Sequence, residues 1–171
     1  NETGAKNMGM AQYGDDIVLI DCGVQFADAD LHGVNYSIPD VSFLTKYKDK
    51  IKGIIITHAH LDHIGSLKHV LPALGMPTIY GTKFTIGLIK KSLDEAGLIP
   101  HSTFVEVDAG SSKKIKIGEF SAEFFRVNHS IPDCAGIYLE SPAGAKFVHT
   151  GDFKIDFTPA IDEPADLSSD R

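Results

Sequence analysis

Four side chains that can bind a metal ion stand within six consecutive positions of the chain: His58, His60, Asp62 and His63. They follow the apolar run 53–56, which predicts a buried strand. Alternate residues of an extended segment point to the same side, so the first three can converge on one point. The fourth faces that point from the start of a helix. Imidazole nitrogens and carboxylate oxygens are zinc-type ligands, so the spacing predicts a metal site just beyond a strand.

Three more polar side chains follow predicted strands in a similar way. Asp21 comes directly after the first strand, His129 follows the strand predicted over 120–127, and Asp152 follows the strand predicted over 146–149. Loops at one edge of a sheet build sites on a rigid scaffold, so these residues are candidates for the same centre. Asp21 can equally be a turn-forming residue.

The apolar pattern predicts strands alternating with helices, and then a run of strands alone. The predicted strands cover residues 17–20, 53–57, 78–80, 104–107, 114–117, 120–127, 136–139 and 146–149. The predicted helices cover residues 63–74 and 82–96, and residues 24–40 are a predicted loop. The remaining histidines are His32, His69, His101 and His149; they match no ligand pattern, and for His149 we expect a packing role.

The composition is ordinary for a soluble globular domain, with 171 residues, 43% hydrophobic and 23% charged. No apolar run approaches the roughly 20 residues that a membrane span needs. The two cysteines, Cys22 and Cys134, are too few for a disulfide framework, which predicts a reduced, cytoplasmic setting. The net charge of −7 disfavours nucleic-acid binding by the whole surface but leaves room for a local basic groove.

The chain resembles the metallo-β-lactamase superfamily of binuclear metallohydrolases, whose H-x-H-x-D-H motif is matched by residues 58–63. A later His and a later Asp of that family match His129 and Asp152. Longer runs are similar to the ribonuclease J members of its β-CASP branch. These runs are Lys6-Asn7-Met8, Ser37-Ile38-Pro39-Asp40, Tyr80-Gly81-Thr82-Lys83, residues 129–133 and residues 149–159.

The resemblance implies two zinc ions per complete active site, with manganese as an alternative. The implied ligands are His58, His60 and His129 for the first ion, Asp62 and His63 for the second, and Asp152 for both. Asp21 would orient a ligand rather than bind an ion. Two ions of this kind can share a hydroxide, and Asp62 or Asp152 would handle its proton.

The activity that the resemblance implies is hydrolysis of RNA phosphodiesters in RNA maturation and decay, including rRNA processing. The substrate would be single-stranded RNA with a 5′-monophosphate, degraded from that end by exonuclease action or cut internally by endonuclease action. The natural protein would be a homodimer or homotetramer. Alternatives are a DNA-processing β-CASP nuclease, a thioesterase of the glyoxalase II type, a β-lactamase, and a metal-binding interaction module without activity.

The implied fold is of the α/β (α+β) class, a four-layer αββα sandwich present only in part. Residues 1–158 would be the N-terminal portion of the metallo-β-lactamase domain, without its first strand and its C-terminal part. Residues 159–171 would be a polar tail that leads to the β-CASP insertion. The final His of the second ion has no match, so we expect the first ion site to be complete, the second to be weak, and the chain alone to be inactive.

Overall fold

A computed structural model describes residues 7–27 and 32–165 of the chain. These residues form two main β-sheets and a two-stranded ribbon, with helices packed on one face of the first sheet. The strands are β1 (Gly9–Tyr13), β2 (Asp16–Ile20), β3 (Gln25–Phe26), β4 (Tyr36–Ser37), β5 (Ile51–Ile55), β6 (Ile79–Thr82), β7 (Phe104–Val107), β8 (Ile115–Ile117), β9 (Phe120–Arg126), β10 (Ala135–Glu140) and β11 (Lys146–His149). The helices are α1 (Leu61–Ile64), α2 (Leu67–Val70) and α3 (Lys83–Glu95), with 3-10 helices at Leu44–Lys50 and Ile99–His101.

The first sheet brings the ends of several strands to one edge. Its strand order is β1-β2-β5-β6-β7, in which β1 is antiparallel to β2 and the other four strands run parallel. Ile20 at the end of β2 pairs with Ile55 at the end of β5, so Asp21 and Thr57 leave the sheet side by side. The crevice beyond the carboxyl ends of parallel strands is the usual place for a site in such a sheet. The predicted metal ligands after β5 begin at this edge.

Both faces of the first sheet are buried, which explains why its central strands are apolar at nearly every position. Leu19 and Ile54 belong to the core beneath the helices, whereas Val18 shares a second core with Phe124 of β9. The second sheet has the order β11-β10-β9-β8 and is antiparallel throughout. The described part of the chain thus contains a helical layer and two packed sheets. This confirms the predicted fold class, with part of the αββα sandwich present.

The helix predicted over 63–74 is wrong, because the structure has two single turns, α1 and α2, that are separated at Ser66. The N–H of Ser66 donates to the carbonyl of Cys22 at 3.0 Å instead of continuing the helix. The carbonyl of Asp62, which a continuous helix would pair with Ser66, accepts from the N–H of Asn7 at 3.1 Å. The N–H and the carbonyl that would have bonded to each other across the two turns are therefore hydrogen-bonded to segments distant in sequence.

Two further elements differ from the prediction. Strand β1 was not predicted, and it joins β2 through a turn at Gly14, whose φ of +56° suits glycine. The predicted loop 24–40 contains the β3–β4 ribbon, and its residues 28–31 lie outside the described residues. The other predicted strands and the helix predicted over 82–96 are confirmed to within two residues at each end.

Residues 159–165 contain no helix or strand, as predicted for the tail. They are held by the side chain of Asn128, whose Nδ2 donates to the carbonyl of Glu163 at 3.0 Å and whose Oδ1 accepts from the N–H of Ala165 at 2.8 Å. Residues 166–171 lie outside the described part of the chain. Within the described part, no helix combines the length and the apolar character needed to cross a membrane.

Candidate metal centre

Three histidine rings face one another beyond the end of β5. His58, His60 and His129 each offer a ring nitrogen that lies within 4.8 Å of the other two. His58 Nε2 lies 3.1 Å from His60 Nδ1, and the His129 ring stands edge-on to both, at centroid distances of 5.0 and 4.9 Å. Three converging imidazole nitrogens are a common protein contribution to a four-coordinate metal ion. This is the first group of candidate ligands. It contains the three residues that were predicted to bind the first ion.

A second group of candidate ligands adjoins the first. His58, His63 and Asp152 bring one ligand atom each within 4.8 Å of one another. Asp152 Oδ2 lies 3.6 Å from His63 Nε2 and 3.8 Å from His129 Nε2, so the carboxylate stands between the two groups. Asp62 Oδ2 lies 3.5 Å from His63 Nε2, beside this group rather than within it. Asp152 is thus placed where it can face both proposed metal positions. Asp62 is placed where it can face the second position.

Asp21 is buried behind the second group and binds His63 from the side away from the site. Its Oδ2 lies 2.8 Å from His63 Nδ1, and its Oδ1 accepts a hydrogen bond of 2.8 Å from the N–H of Thr57. A carboxylate at Nδ1 places the imidazole proton there and leaves the Nε2 lone pair free for a ligand bond. Asp21 also has a φ of +58°, a left-handed conformation that Asp tolerates in turns. It is therefore both a turn residue and a partner of a candidate ligand.

The electrostatics of this pair favour an ionised Asp21. Burial by itself opposes its ionisation, but the nearby imidazoles of His149 and His63 outweigh burial and hold the pKa of Asp21 below its usual value. Burial also tends to lower the pKa of His63, but the hydrogen bond to Asp21 prevails and raises it. The carboxylate is therefore available at neutral pH to orient the His63 ring.

Burial lowers the pKa of two histidines in the first group, His58 and His129. Burial is the largest cause that lowers the pKa of His58 to about 3, and the neighbouring His63 lowers it further. Burial also lowers the pKa of His129, with a further contribution from His60. A histidine with a lowered pKa is neutral at neutral pH, and only a neutral ring has a lone pair to donate.

Three side chains at the centre were not predicted to belong to it. The hydroxyl of Thr57 donates to Asp21 Oδ2 at 2.9 Å, and His149 Nε2 lies 3.6 Å from the same oxygen, so His149 contacts the site network. Asn7 Nδ2 lies 3.2 Å from Asp62 Oδ2. The position of Thr57, directly before the first histidine at a strand end, was a usable signal. Asn7 is far from the motif in sequence; the run Lys6-Asn7-Met8 contributed to the family resemblance, but nothing in it indicated a contact with the metal centre.

His69 and the two cysteines lie outside the two ligand groups. His69 Nε2 lies 2.9 Å from the hydroxyl of Tyr36 at the surface, and it belongs to neither ligand group of the described residues. Cys22 and Cys134 are free and buried, and burial raises the pKa of each thiol to about 12. Neither thiol is a nucleophile at neutral pH.

These features define the metallo-β-lactamase fold: packed sheets flanked by helices, an H-x-H-x-D-H motif beyond one strand, and a His and an Asp beyond two others. Residues 17–168 match the model of the family described as "Beta-lactamase superfamily domain". The chain therefore belongs to the β-lactamase superfamily.

The curated relatives are longer proteins. The chain is 40% identical over 162 residues to ribonuclease J 1 of Streptococcus pyogenes serotype M3, which covers 95% of this chain and 28% of that protein. It is 38% identical to ribonuclease J of Synechocystis, over 95% of this chain and 25% of that protein. It is also 38% identical to ribonuclease J of Thermus thermophilus, over 90% of this chain and 27% of that protein. The chain spans about a quarter of the length of these relatives.

Solved structures with lower identity share the fold. The metallo-β-lactamase fold protein YhfI of Bacillus subtilis aligns with a TM-score of 0.61 and 23% identity, over 86% of this chain and 55% of that protein. The short form of human tRNase Z aligns with a TM-score of 0.56 and 18% identity, over 86% of this chain and 62% of that protein. At these identities the likeness concerns the fold alone.

Proposed function

We propose that this chain carries the metal-binding part of a metal-dependent ribonuclease that hydrolyses RNA phosphodiester bonds. The observation that carries the proposal is the pair of adjoining ligand groups around His58, each with ligand atoms within 4.8 Å of one another. RNA is supported as the substrate by 40% identity to ribonuclease J 1 of Streptococcus pyogenes across 95% of the chain.

The donor set fits a pair of divalent ions, because imidazoles and carboxylates converge and neither ligand group of the described residues contains a thiol. The proposed ligands are His58, His60 and His129 for the first ion, Asp62 and His63 for the second, and Asp152 for both. Such ions, when bound, lower the pKa of water and neutralise charge on a phosphodiester during in-line displacement. Zinc is the proposed metal, and manganese is the alternative that the same donors allow.

The protein's own groups have distinct roles in this proposal. Asp152 and Asp62 lie at the open side of the site, with 48% and 20% of their side chains exposed, and either can accept the proton of the attacking water. His58 is fully buried and closes the site from behind. Asp21 keeps the His63 ring in the orientation that a ligand needs.

The substrate that we propose is single-stranded RNA with a 5′-monophosphate, degraded from that end or cut internally during RNA maturation and decay. We propose a cytoplasmic setting, since both cysteines are free thiols. Residues 1–158 would form the N-terminal portion of the metallo-β-lactamase domain, and 159–171 would lead to a β-CASP insertion. The natural protein would act as a homodimer or homotetramer.

The test is hydrolysis of a labelled, 5′-monophosphorylated single-stranded RNA by the natural protein that carries this chain, with zinc or manganese added. The Asp152→Ala variant is expected to lose activity, because it lacks the carboxylate between the two ligand groups. The matched control is Asp156→Ala, which removes a carboxylate that pairs with Lys154 at 2.9 Å. It is expected to retain activity.

Parallel assays with single-stranded DNA, a thioester and a β-lactam separate the alternatives. Degradation of RNA by the wild type and the control, but not by Asp152→Ala, is the expected outcome. A protein that leaves RNA intact and hydrolyses one of the other substrates would contradict the ribonuclease proposal and support the corresponding hydrolase.

A further inference from the structure

Asn7 contacts two proposed ligands of the second ion at once. Its Nδ2 lies 3.2 Å from Asp62 Oδ2 and 3.0 Å from His63 Nε2. Its main chain is also fixed: the N–H donates to the Asp62 carbonyl at 3.1 Å, and the carbonyl accepts from the N–H of Gly23 at 3.0 Å. The backbone bonds thus hold the residue against α1 and the loop after β2, and they aim its side chain at the centre.

The two neighbours of the amide decide which of its ends faces them. An ionised Asp62 carboxylate can only accept hydrogen bonds. His63 Nδ1 lies 2.8 Å from Asp21, so Nε2 is the ring nitrogen that faces Asn7. The amide nitrogen of Asn7 donates to Asp62 Oδ2, whereas the amide oxygen would repel that carboxylate. Asn7 is therefore a hydrogen-bond donor to Asp62 at this position.

We propose that Asn7 is a positioning residue that holds the Asp62 carboxylate beside His63 for the second metal ion. The inference rests on the ligand assignment under the proposed function. Asp21 holds the His63 ring through Nδ1, so Asn7 and Asp21 position the two ligands of that ion from different sides. On metal loading, His63 Nε2 is needed for the ion, and Asn7 keeps its bond to Asp62.

The test compares metal binding by the natural protein and by its Asn7→Leu and Asn7→Ser variants, which lack the amide donor. Calorimetric titration with Zn²⁺ and the visible absorption of bound Co²⁺ report each site without any enzymatic assay. We expect the affinity for the second ion to fall by about 10- to 100-fold and its Co²⁺ bands to change. The affinity for the first ion is expected to stay the same. The matched control is Asn35→Leu, since Asn35 is an exposed loop residue.

Several outcomes would overturn the inference. One is an equal loss of affinity at both sites in both variants, with a lower melting temperature of the metal-free protein; this would show that Asn7 is only structural. The others are an unchanged second-ion affinity in both variants, and a wild type that binds a single ion. RNA hydrolysis is measured separately. A wild type that binds two ions but leaves RNA intact would contradict the proposed function while the role of Asn7 stands.

Discussion

Replacement of Gly23 by alanine is expected to displace α1, the helical turn that carries Asp62 and His63. A Cβ on Gly23 would lie 1.4 Å from the carbonyl oxygen of Asp62 and 2.7 Å from the backbone nitrogen of His63. Ordinary van der Waals contact begins at 3.4 Å, so the main chain must retreat by about 2 Å at the nearer atom. Both contacts are with backbone atoms, and no change of side-chain rotamer can make the room.

A shift of this size would disturb both metal binding and stability. Ligands of a working site must be held to within about 0.5 Å, so we expect the affinity for the second ion to fall by at least about 10-fold. Overpacking of this kind lowers the free energy of unfolding by about 1–3 kcal/mol. Calorimetric titration with Zn²⁺ and urea unfolding of the metal-free protein measure the two effects.

The matched control is Gly87→Ala in α3, where an added Cβ meets nothing within 4 Å. Alanine is favoured over glycine inside a helix by about 0.5–1 kcal/mol, so this variant is expected to be slightly more stable, with unchanged metal affinity. A Gly23→Ala protein with two intact metal sites and a wild-type urea midpoint would refute the close packing of the β2 loop on α1.

Three further predictions concern the core, the orienting carboxylate and the thiols. Phe124→Ala is expected to lower the free energy of unfolding by about 3–5 kcal/mol in urea, because this fully buried ring lies in the core between the sheets; a loss well below that range would contradict its placement. Asp21→Asn is expected to weaken Zn²⁺ binding by about 10- to 100-fold in a chelator competition, since the amide cannot replace the carboxylate at His63 Nδ1; unchanged affinity would exclude an orienting role. Cys22 and Cys134, whose pKa burial raises to about 12, are expected to react with a thiol reagent only after unfolding. Rapid labelling of the folded protein would contradict their burial.

The features that could be predicted from the sequence are those with a local cause. The runs 17–20 in β2 and 53–56 at the end of β5 are apolar because both faces of their sheet are buried. The residues 58–63 lie close together in space because the chain leaves β5 in an extended form and then turns into α1. A strand end followed by alternating histidines predicts convergence without any knowledge of the rest of the fold.

The features that escaped prediction depend on contacts between distant segments. The break between α1 and α2 follows from a hydrogen bond between Ser66 and Cys22, and the pattern of residues 63–74 alone favours one helix. Asn7 reaches the centre only because its segment lies against α1, 55 positions away in sequence. His149 is placed near Asp21 in space by the second sheet, which no periodicity near that residue could indicate.

The most direct test of the proposed metal centre is a crystal structure of the zinc-soaked natural protein, with anomalous diffraction recorded at the zinc edge. Two anomalous peaks about 3.5–4 Å apart are predicted. One should be bound by His58, His60 and His129, and a weaker one should be bound by Asp62 and His63, with Asp152 between them. No peak at these residues, or zinc bound only elsewhere on the protein, would contradict the two-ion centre and the hydrolytic role proposed for it.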